Sequence, residues 1–403
     1  MSILIRGGLL LDGTGREPLP GGAVLVEGKI ISAAGSEREV PAPPDAEVID
    51  AGGALIMPGM VNLHDHISRK SLRKPKPGLS FREQGAKLMA EPAEYLTLHS
   101  ARNALEELLA GTTTVRDMGL AGYSSIILKR AINEGLITGP RLLPCGKPIC
   151  ITGGHTWMWA READGVDEVR RAVREQVRAG ADCIKLMGSG GLAHFPDEDP
   201  DVSEFNLDEL QAGVLEAHKF RLRCAIHAFP AAAIKNAVRA GIDSIDHGVF
   251  MDEEALDLML EHGTDLVPTL SGLAYVPRQY RSVGLVELSD EIDRRVIGPH
   301  KASVKAAWEA GIPIGVGTDT GGEIVEEMEL IQSAAGLTAQ QCLEAATRVS
   351  AGIAGLDDRL GTLEPGKLAD VVLMDPDAVE DISKARSVAL VLKEGTQVSG
   401  AML

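Results

Sequence analysis

The chain has 403 residues, of which 44% are hydrophobic and 24% are charged, a composition typical of a soluble globular protein. Its net charge of −18 argues against a nucleic-acid or anionic-membrane partner, because the field of the protein repels phosphate. Its five cysteines form no CxxC pair, and no run of about 18 apolar residues suits a membrane helix, so we expect free thiols in a cytoplasmic protein.

Both ends of the chain are made of short β-prone runs separated by glycine and proline turns. Residues 1–57 contain the runs ILIRGGLLLDG, GAVLVEGKIISAAG and AEVIDAGGALIMPG, and residues 361–403 contain GTLEPGKLADVVLMDPD and SVALVLKEGTQV. Because the two ends share this texture, we predict that they form one small β-sandwich, with a catalytic domain over residues 58–360 between them.

The central residues repeat a unit of helix, glycine and strand. Helical patterns end on a glycine that an apolar run follows almost at once, at LLAGTTTV, VRAGADCI, VRAGIDSI, LEHGTDLV and WEAGIPIG. Glycine suits this position because the residue that ends a helix is often left-handed. Repeated βα units give a parallel sheet. The predicted strands lie near residues 60–66, 112–118, 141–148, 183–189, 222–228, 243–247, 265–270 and 312–319.

Eight such strands predict an α/β fold, a (β/α)8 TIM barrel, for the central domain. The alternative is an open doubly wound sheet. Doubly wound sheets that bind dinucleotides have a glycine-rich phosphate-binding motif in their first βα unit. This sequence lacks that motif.

Residues of types that commonly bind metal ions occur at or just past the ends of the predicted strands. His64 and His66 lie two apart in the first strand, so their side chains share one face. His227, His247 and Asp319 follow at the ends of later strands. Because active sites of (β/α)8 barrels form at the C-terminal strand ends, we predict that these residues form one metal site. For each histidine alone the alternative is a hydrogen-bonded core residue, and for Asp319 it is a helix N-cap.

Lys185 is the unusual member of the set, because it follows Cys183 and Ile184 in an apolar strand. An unpaired buried ammonium is costly, and both burial and nearby metal ions favour the neutral amine. A neutral amine can add CO2 to form a carbamate, an anionic ligand whose two oxygens are able to bridge two cations. The alternative is a lysine paired with an acid such as Asp182 or Asp246.

Together these residues resemble the amidohydrolase superfamily over nearly the whole chain, from PGMVNLHDH to the closing GTLEPGKLADVVLMD. Within it, GTTTVRDMG, ITGGH, CIKLMGSGG, DSIDHG and VPTL resemble the imidazolonepropionase-like and Xaa-Pro/Xaa-Arg dipeptidase branch. The resemblance implies two Zn2+ ions per chain, with carboxylated Lys185 and a hydroxide between them. The implied ligands are His64, His66 and Asp319 for one ion and His227 and His247 for the other. Imidazolonepropionases use one metal and lack this lysine, so Lys185 favours the dipeptidase side.

Substrate recognition rests on residues near the predicted strand ends. His155 follows the third strand and is a candidate to bind a carbonyl or carboxylate oxygen, its alternative being a surface histidine. The family often carries Tyr or His two positions after the strand-5 histidine to bind the substrate carboxylate, and here that position is Phe229. Tyr275 and Arg278 after the seventh strand are further candidates. Other residues considered are Arg116 beside the metal site, the cations Arg69, Lys70, Arg73 and Arg281, and the tryptophans Trp157 and Trp159.

These features predict a metal-dependent hydrolase that cleaves an amide C–N bond, N-acyl or peptide-like, through a metal-bridging hydroxide, with Asp319 as general base and then acid. The expected partner is a small-molecule amide or dipeptide, and the expected assembly is a homo-oligomer. Because Phe229 removes a donor, we expect bulky hydrophobic amides to be better substrates than small unblocked dipeptides. The alternatives are a Xaa-Pro or Xaa-Arg dipeptidase, a hydrolase of a cyclic amide, ester or carbamate, and a barrel without catalysis that serves as a scaffold.

Overall fold

The computed structural model describes residues 2–69, 78–120 and 122–398. Its strands, in chain order, are β1 (Ser2–Leu10), β2 (Leu19–Glu27), β3 (Ile30–Ser36), β4 (Glu47–Asp50), β5 (Leu55–Pro58), β6 (Met60–Asp65), β7 (Thr112–Asp117), β8 (Arg141–Pro144), β9 (Ile149–Cys150), β10 (Arg161–Glu162), β11 (Cys183–Met187), β12 (Arg223–Pro230), β13 (Ser244–Phe250), β14 (Asp265–Val267), β15 (Val371–Met374), β16 (Val388–Lys393) and β17 (Thr396–Gln397).

Its α-helices are α1 (Phe81–Met89), α2 (Ala93–Leu109), α3 (Ser124–Asn133), α4 (Gly165–Ala179), α5 (Leu207–Lys219), α6 (Ala231–Arg239), α7 (Glu253–His262), α8 (Leu270–Ser282), α9 (Val286–Ile292), α10 (Gly298–Ala310), α11 (Ile324–Ala335), α12 (Ala339–Glu344) and α13 (Ser350–Ile353). Short π-helical segments follow α9 and α12, at Asp293–Ile297 and Ala345–Val349, and 3-10 turns lie at Pro376–Val379 and Ile382–Arg386. The glycines predicted to end helices all have left-handed backbone, with φ between +67° and +100°. Within the described ranges, each helix is too short or too polar to cross a membrane.

The strands of the two chain ends pair in a single mixed sheet. Its order is β17–β16–β15–β5–β1–β2–β3, and β4 also pairs with β1. β5 joins the two ends, because it runs parallel to β1 on one side and antiparallel to β15 on the other. Ile5, Val24 and Leu373, from both ends, belong to one buried hydrophobic cluster. The two ends therefore share one sheet, whereas its arrangement as a sandwich stays a prediction.

The central strands form two parallel sheets, ordered β6–β7–β8 and β10–β9–β11–β12–β13–β14. A backbone hydrogen bond links them, since Asp182 N just before β11 donates to Pro144 O of β8 at 2.8 Å. The largest hydrophobic cluster packs strand residues such as Ile184 and Ile226 against helix residues such as Val173. The chain is thus α/β as predicted, although of the third predicted strand (141–148) only β8 forms, and β9 begins just after it.

Residues 312–319 differ from the prediction, because they form no strand. Ile314 makes one isolated parallel bridge to β14, and β6 donates a backbone N–H to the carbonyl of Val316 at 2.8 Å. The ladder does not extend, because Pro313 has no N–H and the N–H of Val316 donates to the Ser350 hydroxyl. This segment therefore contacts both sheets, at β14 and at β6, through a few hydrogen bonds.

Candidate metal centre

A cleft opens toward the carboxyl ends of the parallel strands and encloses about 550 Å³ of space, part of it open to solvent. The predicted metal ligands all line it, namely His64, His66, Lys185, His227, His247 and Asp319. The four histidines and Lys185 are each 6% exposed or less. Residues that are far apart in the sequence thus meet in one buried site, as their places on the strands predicted.

His64, His66 and Asp319 form the tightest group. Their ligand atoms all lie within 4.8 Å of one another, and His66 Nε2 is 3.5 Å from Asp319 Oδ1. The backbone N–H of Asp319 donates to the carbonyl of His64 at 2.7 Å, which ties the end of the 312–319 segment to β6. The spacing suits three ligands of one small cation.

His227 and His247 lie on the neighbouring strands β12 and β13 and form the other half of the cluster. Their ring centroids are 4.5 Å apart, and His247 is also 5.1 Å from the ring of His64. His247 therefore touches both groups of candidate ligands, and the two groups are continuous.

Each of the four imidazoles has one ring nitrogen next to a protein acceptor. The pairs are His64 Nδ1 with Asp246 Oδ2 (3.0 Å), His66 Nδ1 with Gly119 O (2.6 Å), His227 Nε2 with Gly190 O (3.0 Å) and His247 Nδ1 with Thr269 Oγ1 (2.6 Å). For His66, His227 and His247 the hydrogen bond to this partner fixes the tautomer and leaves the lone pair on the other nitrogen, as in metal-binding histidines. The arrangement therefore has the features of a ligand set.

Burial also sets the charge of these groups. It lowers the pKa of His66 to about 3 and holds the pKa values of His227 and His247 well below their usual range. Burial alone would raise the pKa of Asp319, but its neighbours His64, His66 and Arg69 outweigh this and lower it to about 2. Three neutral imidazoles and one carboxylate at neutral pH are the protonation states that metal binding requires.

Lys185 contacts a second buried carboxylate. Its amine lies against Asp246 Oδ2, and Arg116 Nη2 is 3.2 Å from Asp246 Oδ1. Asp182, the other acid considered for Lys185, instead pairs with Lys129 at 2.5 Å. As an unmodified lysine, Lys185 therefore has the acid partner that the alternative interpretation required.

Left-handed backbone concentrates at this site. Six described residues other than glycine have positive φ, and four of them belong to the cleft or contact its ligands. These four are Thr156 (+61°), His247 (+75°), Thr269 (+55°) and Asp319 (+52°). Such conformations are unfavourable, above all for threonine, and persist where the surrounding structure enforces them, often at functional sites.

Two of the four predicted substrate-binding residues line the cleft and two do not. His155 and Phe229 line the cleft on either side of His227, with ring centroids 4.1 Å and 4.8 Å from its ring. Tyr275 and Arg278 do not line it: Tyr275 packs at Gly321, and Arg278 pairs with Glu326 at 2.6 Å.

Of the other cations and tryptophans considered, some lie at the cleft and others lie at the surface. Arg69 is buried and lines the cleft, with its guanidinium carbon 4.6 Å from the ring centroid of Trp159. Arg281 pairs with Asp290 at 2.5 Å, and Trp157 is half exposed. Lys70 and Arg73 lie outside the described residues.

Several functional contacts were missed by the sequence analysis. Glu198 Oε1 lies 2.5 Å from His155 Nδ1 and orients that ring, and His300 Nε2 lies 2.9 Å from the backbone carbonyl of His247. Asp246 had been considered only as a partner of Lys185, yet it also contacts His64 and Arg116. An acid in an apolar strand was the available signal for Asp246, whereas Glu198 lies in a loop without a pattern.

Comparisons with known proteins agree with this geometry. The model of the amidohydrolase family matches residues 55–398. The ochratoxinase of Aspergillus niger is 31% identical over 98% of this chain and 86% of that protein, and the imidazolonepropionase of Caldanaerobacter subterraneus is 27% identical over 88% and 82%. A solved Xaa-Pro dipeptidase with bound methionine in its active site matches with a TM-score of 0.88 and 29% identity, covering 99% of this chain and 100% of that one. The resemblance drawn from the sequence motifs is thereby confirmed.

Proposed function

The chain belongs to the amidohydrolase family, and we propose that it is a metal-dependent hydrolase that cleaves the C–N bond of an N-acyl or peptide-like amide. The observation that carries the proposal is the set of four buried imidazoles, each with one ring nitrogen at a protein acceptor. A structural role alone would not need four such rings in contact with one another.

The donor set fits two divalent ions of the zinc type. Imidazole nitrogen and carboxylate oxygen are ordinary zinc ligands. His64, His66 and Asp319 would hold one ion and His227 and His247 the other, and Lys185, once carboxylated, would supply oxygen to both. When bound, the two cations polarise the amide carbonyl and lower the pKa of water.

Asp319 is the residue that would move the proton. Its carboxylate is ionised at neutral pH, and Oδ1 accepts a hydrogen bond from the backbone N–H of Thr320 at 2.5 Å. It would accept a proton from the attacking water and deliver it to the nitrogen of the departing amine, because an amine anion is a poor leaving group. Asp319 would thus act first as the general base and then as the general acid.

Carboxylation of Lys185 is compatible with its buried neighbours. A carbamate is negative and would give up the ion pair with Asp246, but that carboxylate keeps Arg116 at 3.2 Å and His64 at 3.0 Å. Arg116 would therefore still balance the charge of Asp246, while the bound cations would balance the charge of the carbamate.

The substrate class follows from Phe229 and from the relatives. The Xaa-Pro dipeptidase and the ochratoxinase are each named for a different substrate, so the fold accommodates peptide and other compounds. Phe229 is fully buried against His227 and offers no hydrogen bond to a carboxylate at that position. Amides with a bulky hydrophobic group are therefore preferred over small unblocked dipeptides in this proposal, with a Xaa-Pro or Xaa-Arg dipeptidase as the second candidate.

We also propose that the two parallel sheets together form one closed barrel over residues 58–360. The hydrogen bonds that link β8 to residue Asp182, β14 to Pro313 and β6 to Val316 support this closure. The mixed sheet built from residues 1–57 and 361–403 would then be a separate β-sandwich domain.

The test combines metal counting with a substrate screen. Zinc-loaded protein should hold two ions per chain, lose activity on chelation and regain it with zinc, and hydrolyse hydrophobic N-acyl amino acids or aryl amides. A protein that binds zinc but turns over no amide, peptide, ester or carbamate would favour the scaffold alternative instead.

Lys185→Met tests the bridging ligand, and Lys129→Met is its matched control, because Lys129 also pairs with an acid but lies away from the cleft. We expect Lys185→Met to lose metal and to lower kcat by more than about 10²-fold, since even outer contacts of a metal site contribute 10- to 100-fold. Native mass spectra of the wild type should carry one added CO2. Two ions in Lys185→Met, or no added CO2 in the active wild type, would contradict the bridging role.

A further inference from the structure

Thr156 occupies a position in a turn that normally requires glycine. The backbone N–H of Trp157 donates to the carbonyl of Gly154 at 3.0 Å, so Thr156 is the third residue of a four-residue turn. Its φ is +61°, and turns with a positive φ at the third residue usually carry glycine or asparagine there. A β-branched side chain is unfavourable in this conformation. Threonine at this position therefore lowers the stability of the turn.

The hydroxyl of Thr156 is unfavourable for a second reason. The residue lines the metal cleft and is 4% exposed, yet within the described ranges its buried Oγ1 has no hydrogen-bond partner. A buried hydroxyl without a partner costs free energy, because it has lost its hydrogen bonds to water. Valine would avoid this second cost, and glycine would avoid both. Local stability therefore does not account for a threonine here.

Thr156 differs in this respect from other left-handed residues of the site. The hydroxyl of Thr269 contacts His247 Nδ1 at 2.6 Å, and the carboxylate of Asp319 accepts the N–H of Thr320 at 2.5 Å. In both cases the unfavourable backbone holds a side chain that has a partner in the protein. Thr156 has no such partner in the part of the chain that the structure describes, and it lies in the wall of the cleft. This contrast points to a partner that arrives with the substrate.

The position of Thr156 indicates which half of the substrate it would meet. Asp319 Oδ1 lies 3.5 Å from His66 Nε2, in one group of candidate ligands. Thr156 follows His155, whose ring is stacked at 4.1 Å on that of His227, in the other group. Because Asp319 is proposed to protonate the departing amine, the side of the cleft at His155 is left for the acyl half.

We propose that Thr156 is a specificity-determining residue whose hydroxyl binds a neutral polar group next to the scissile carbonyl, in the acyl half of the substrate. The proposal deepens the proposed function and rests on it, because it assumes that an amide is cleaved at the metal centre. A hydroxyl both donates and accepts hydrogen bonds, so acyl groups with a hydroxyl or ether oxygen at this position are preferred over plain alkyl groups. The bound substrate would supply the partner that Oγ1 lacks.

The first experiment compares two substrates of nearly equal size. N-glycolyl-L-phenylalanine has a hydroxyl where N-propanoyl-L-phenylalanine has a methyl group, and the measure is the ratio of their kcat/KM values. Thr156→Val keeps the size of the side chain and should lower this ratio by about 3- to 10-fold relative to the wild type, the effect of one neutral hydrogen bond. Comparing variants cancels the different intrinsic reactivity of the two amides. Thr156→Ser should keep the ratio. An unchanged ratio in Thr156→Val would overturn the proposal.

The second experiment tests whether threonine is retained at the expense of stability. Thr156→Gly should raise the midpoint of thermal unfolding of the zinc-loaded protein by about 1–4 °C while lowering the substrate ratio. Arg221→Gly is the matched control, because Arg221 has a φ of +59°, is exposed, and precedes β12 at the end opposite to His227. It should raise the midpoint and leave the ratio unchanged. Lower midpoints in both Thr156→Gly and Thr156→Val would show that threonine serves stability, and the proposal would be wrong.

A binding measurement separates this proposal from the proposed function. The Asp319→Asn protein, alone and combined with Thr156→Val, is titrated calorimetrically with both compounds. With Thr156 present, the glycolyl compound should bind about 3- to 10-fold more tightly, and Thr156→Val should abolish the difference. This result without hydrolysis of any amide by the wild type would contradict the proposed function and leave the role of Thr156 in binding. Amide hydrolysis by the wild type, with equal binding of both compounds in both variants, would overturn the role of Thr156 alone.

Discussion

The metal-binding side of the cleft and its substrate-binding side hold their residues in different ways. His64, His227 and His247 lie within strands β6, β12 and β13, are at most 4% exposed, and each has an acceptor for its second ring nitrogen. His155 lies in a loop and Arg69 in a single 3-10 turn just after β6, and their side chains contact Glu198 and Trp159, respectively, from other loops. Strand register thus fixes three of the four imidazoles, while His155 and Arg69 on the substrate side depend on segments outside the strands, which usually vary more freely.

This comparison predicts that substitutions on the metal-binding side lower the rate or the metal affinity, whereas those on the substrate-binding side change which substrate is preferred. The largest effect is expected at Asp319. Asp319→Asn should keep the fold and the metals but lower kcat by at least about 10²-fold, because the proton shuttle is lost. Steady-state kinetics, metal analysis and circular dichroism check this. Near-normal turnover with both metals bound would show that another group moves the proton.

A smaller effect is expected at Asp246, which contacts a candidate ligand without facing the cleft. Asp246→Asn should weaken zinc binding by about 10- to 100-fold, because His64 loses the charged group beside its Nδ1. Asp182→Asn is the matched control, since Asp182 is also strand-adjacent and pairs with Lys129. Competition with a chelator of known affinity measures the change. Equal losses in both variants would mean that Asp246 acts only through general stability.

Among the substrate-binding residues, Phe229→Tyr, a change near the end of strand β12, should alter substrate preference more than rate. A hydroxyl beside His227 restores a donor for a substrate carboxylate, and one hydrogen bond of this kind contributes about 1–3 kcal/mol. The ratio of kcat/KM for free-carboxylate dipeptides over hydrophobic N-acyl amides should therefore rise by about tenfold. An unchanged ratio would mean that Phe229 does not face the substrate.

The smallest effect on catalysis is expected at Glu327, which holds the start of α8 next to the metal centre. Its two carboxylate oxygens accept the backbone N–H groups of Leu270 and Ser271 at 2.8 and 2.6 Å and so cap α8, whose preceding Thr269 binds His247. Glu327→Gln removes one acceptor and should lower the free energy of unfolding by about 1–3 kcal/mol.

The pH dependence of that loss has a definite sign. Burial raises the pKa of Glu327 from 4.5 to about 7. A pKa raised by folding means that the contribution of this group is full below pH 4.5 and declines as the pH rises through about 7. The stability advantage of the wild type over Glu327→Gln should therefore shrink between those pH values in denaturant titrations. An advantage that grows with pH would contradict the raised pKa.

The contrast between residues in strands and residues in loops also explains what could be predicted from the sequence. Strands carry a period of two, so the shared face of His64 and His66 and the buried position of Lys185 followed from local pattern. The acceptors Gly119, Gly190 and Thr269 come from loops whose positions depend on the whole fold, and no local pattern marks them.

Arg278 shows why the substrate side was predicted less well. The prediction placed Arg278 after the seventh strand without assigning a helix there, and the segment contains Pro277, a residue that usually ends or kinks a helix. In the structure it is helix α8, and Leu273 and Val276, three positions apart, face the cleft. Arg278 lies two positions after Val276, on another face, and pairs with Glu326. The helical period, hidden by the proline, decided which side chain points inward.

The shared sheet of the two chain ends has a consequence for the time course of synthesis on the ribosome. β5 leaves the ribosome early, yet its partner β15 follows only after about 310 further residues. At translation rates of about 5–20 residues per second, β5 waits roughly 15 to 60 s with one edge unpaired. An apolar strand such as Leu55–Pro58 is then a template for wrong pairing with another nascent chain. Slower elongation, or a partner that covers this edge, would therefore change the yield of folded protein without altering the native state.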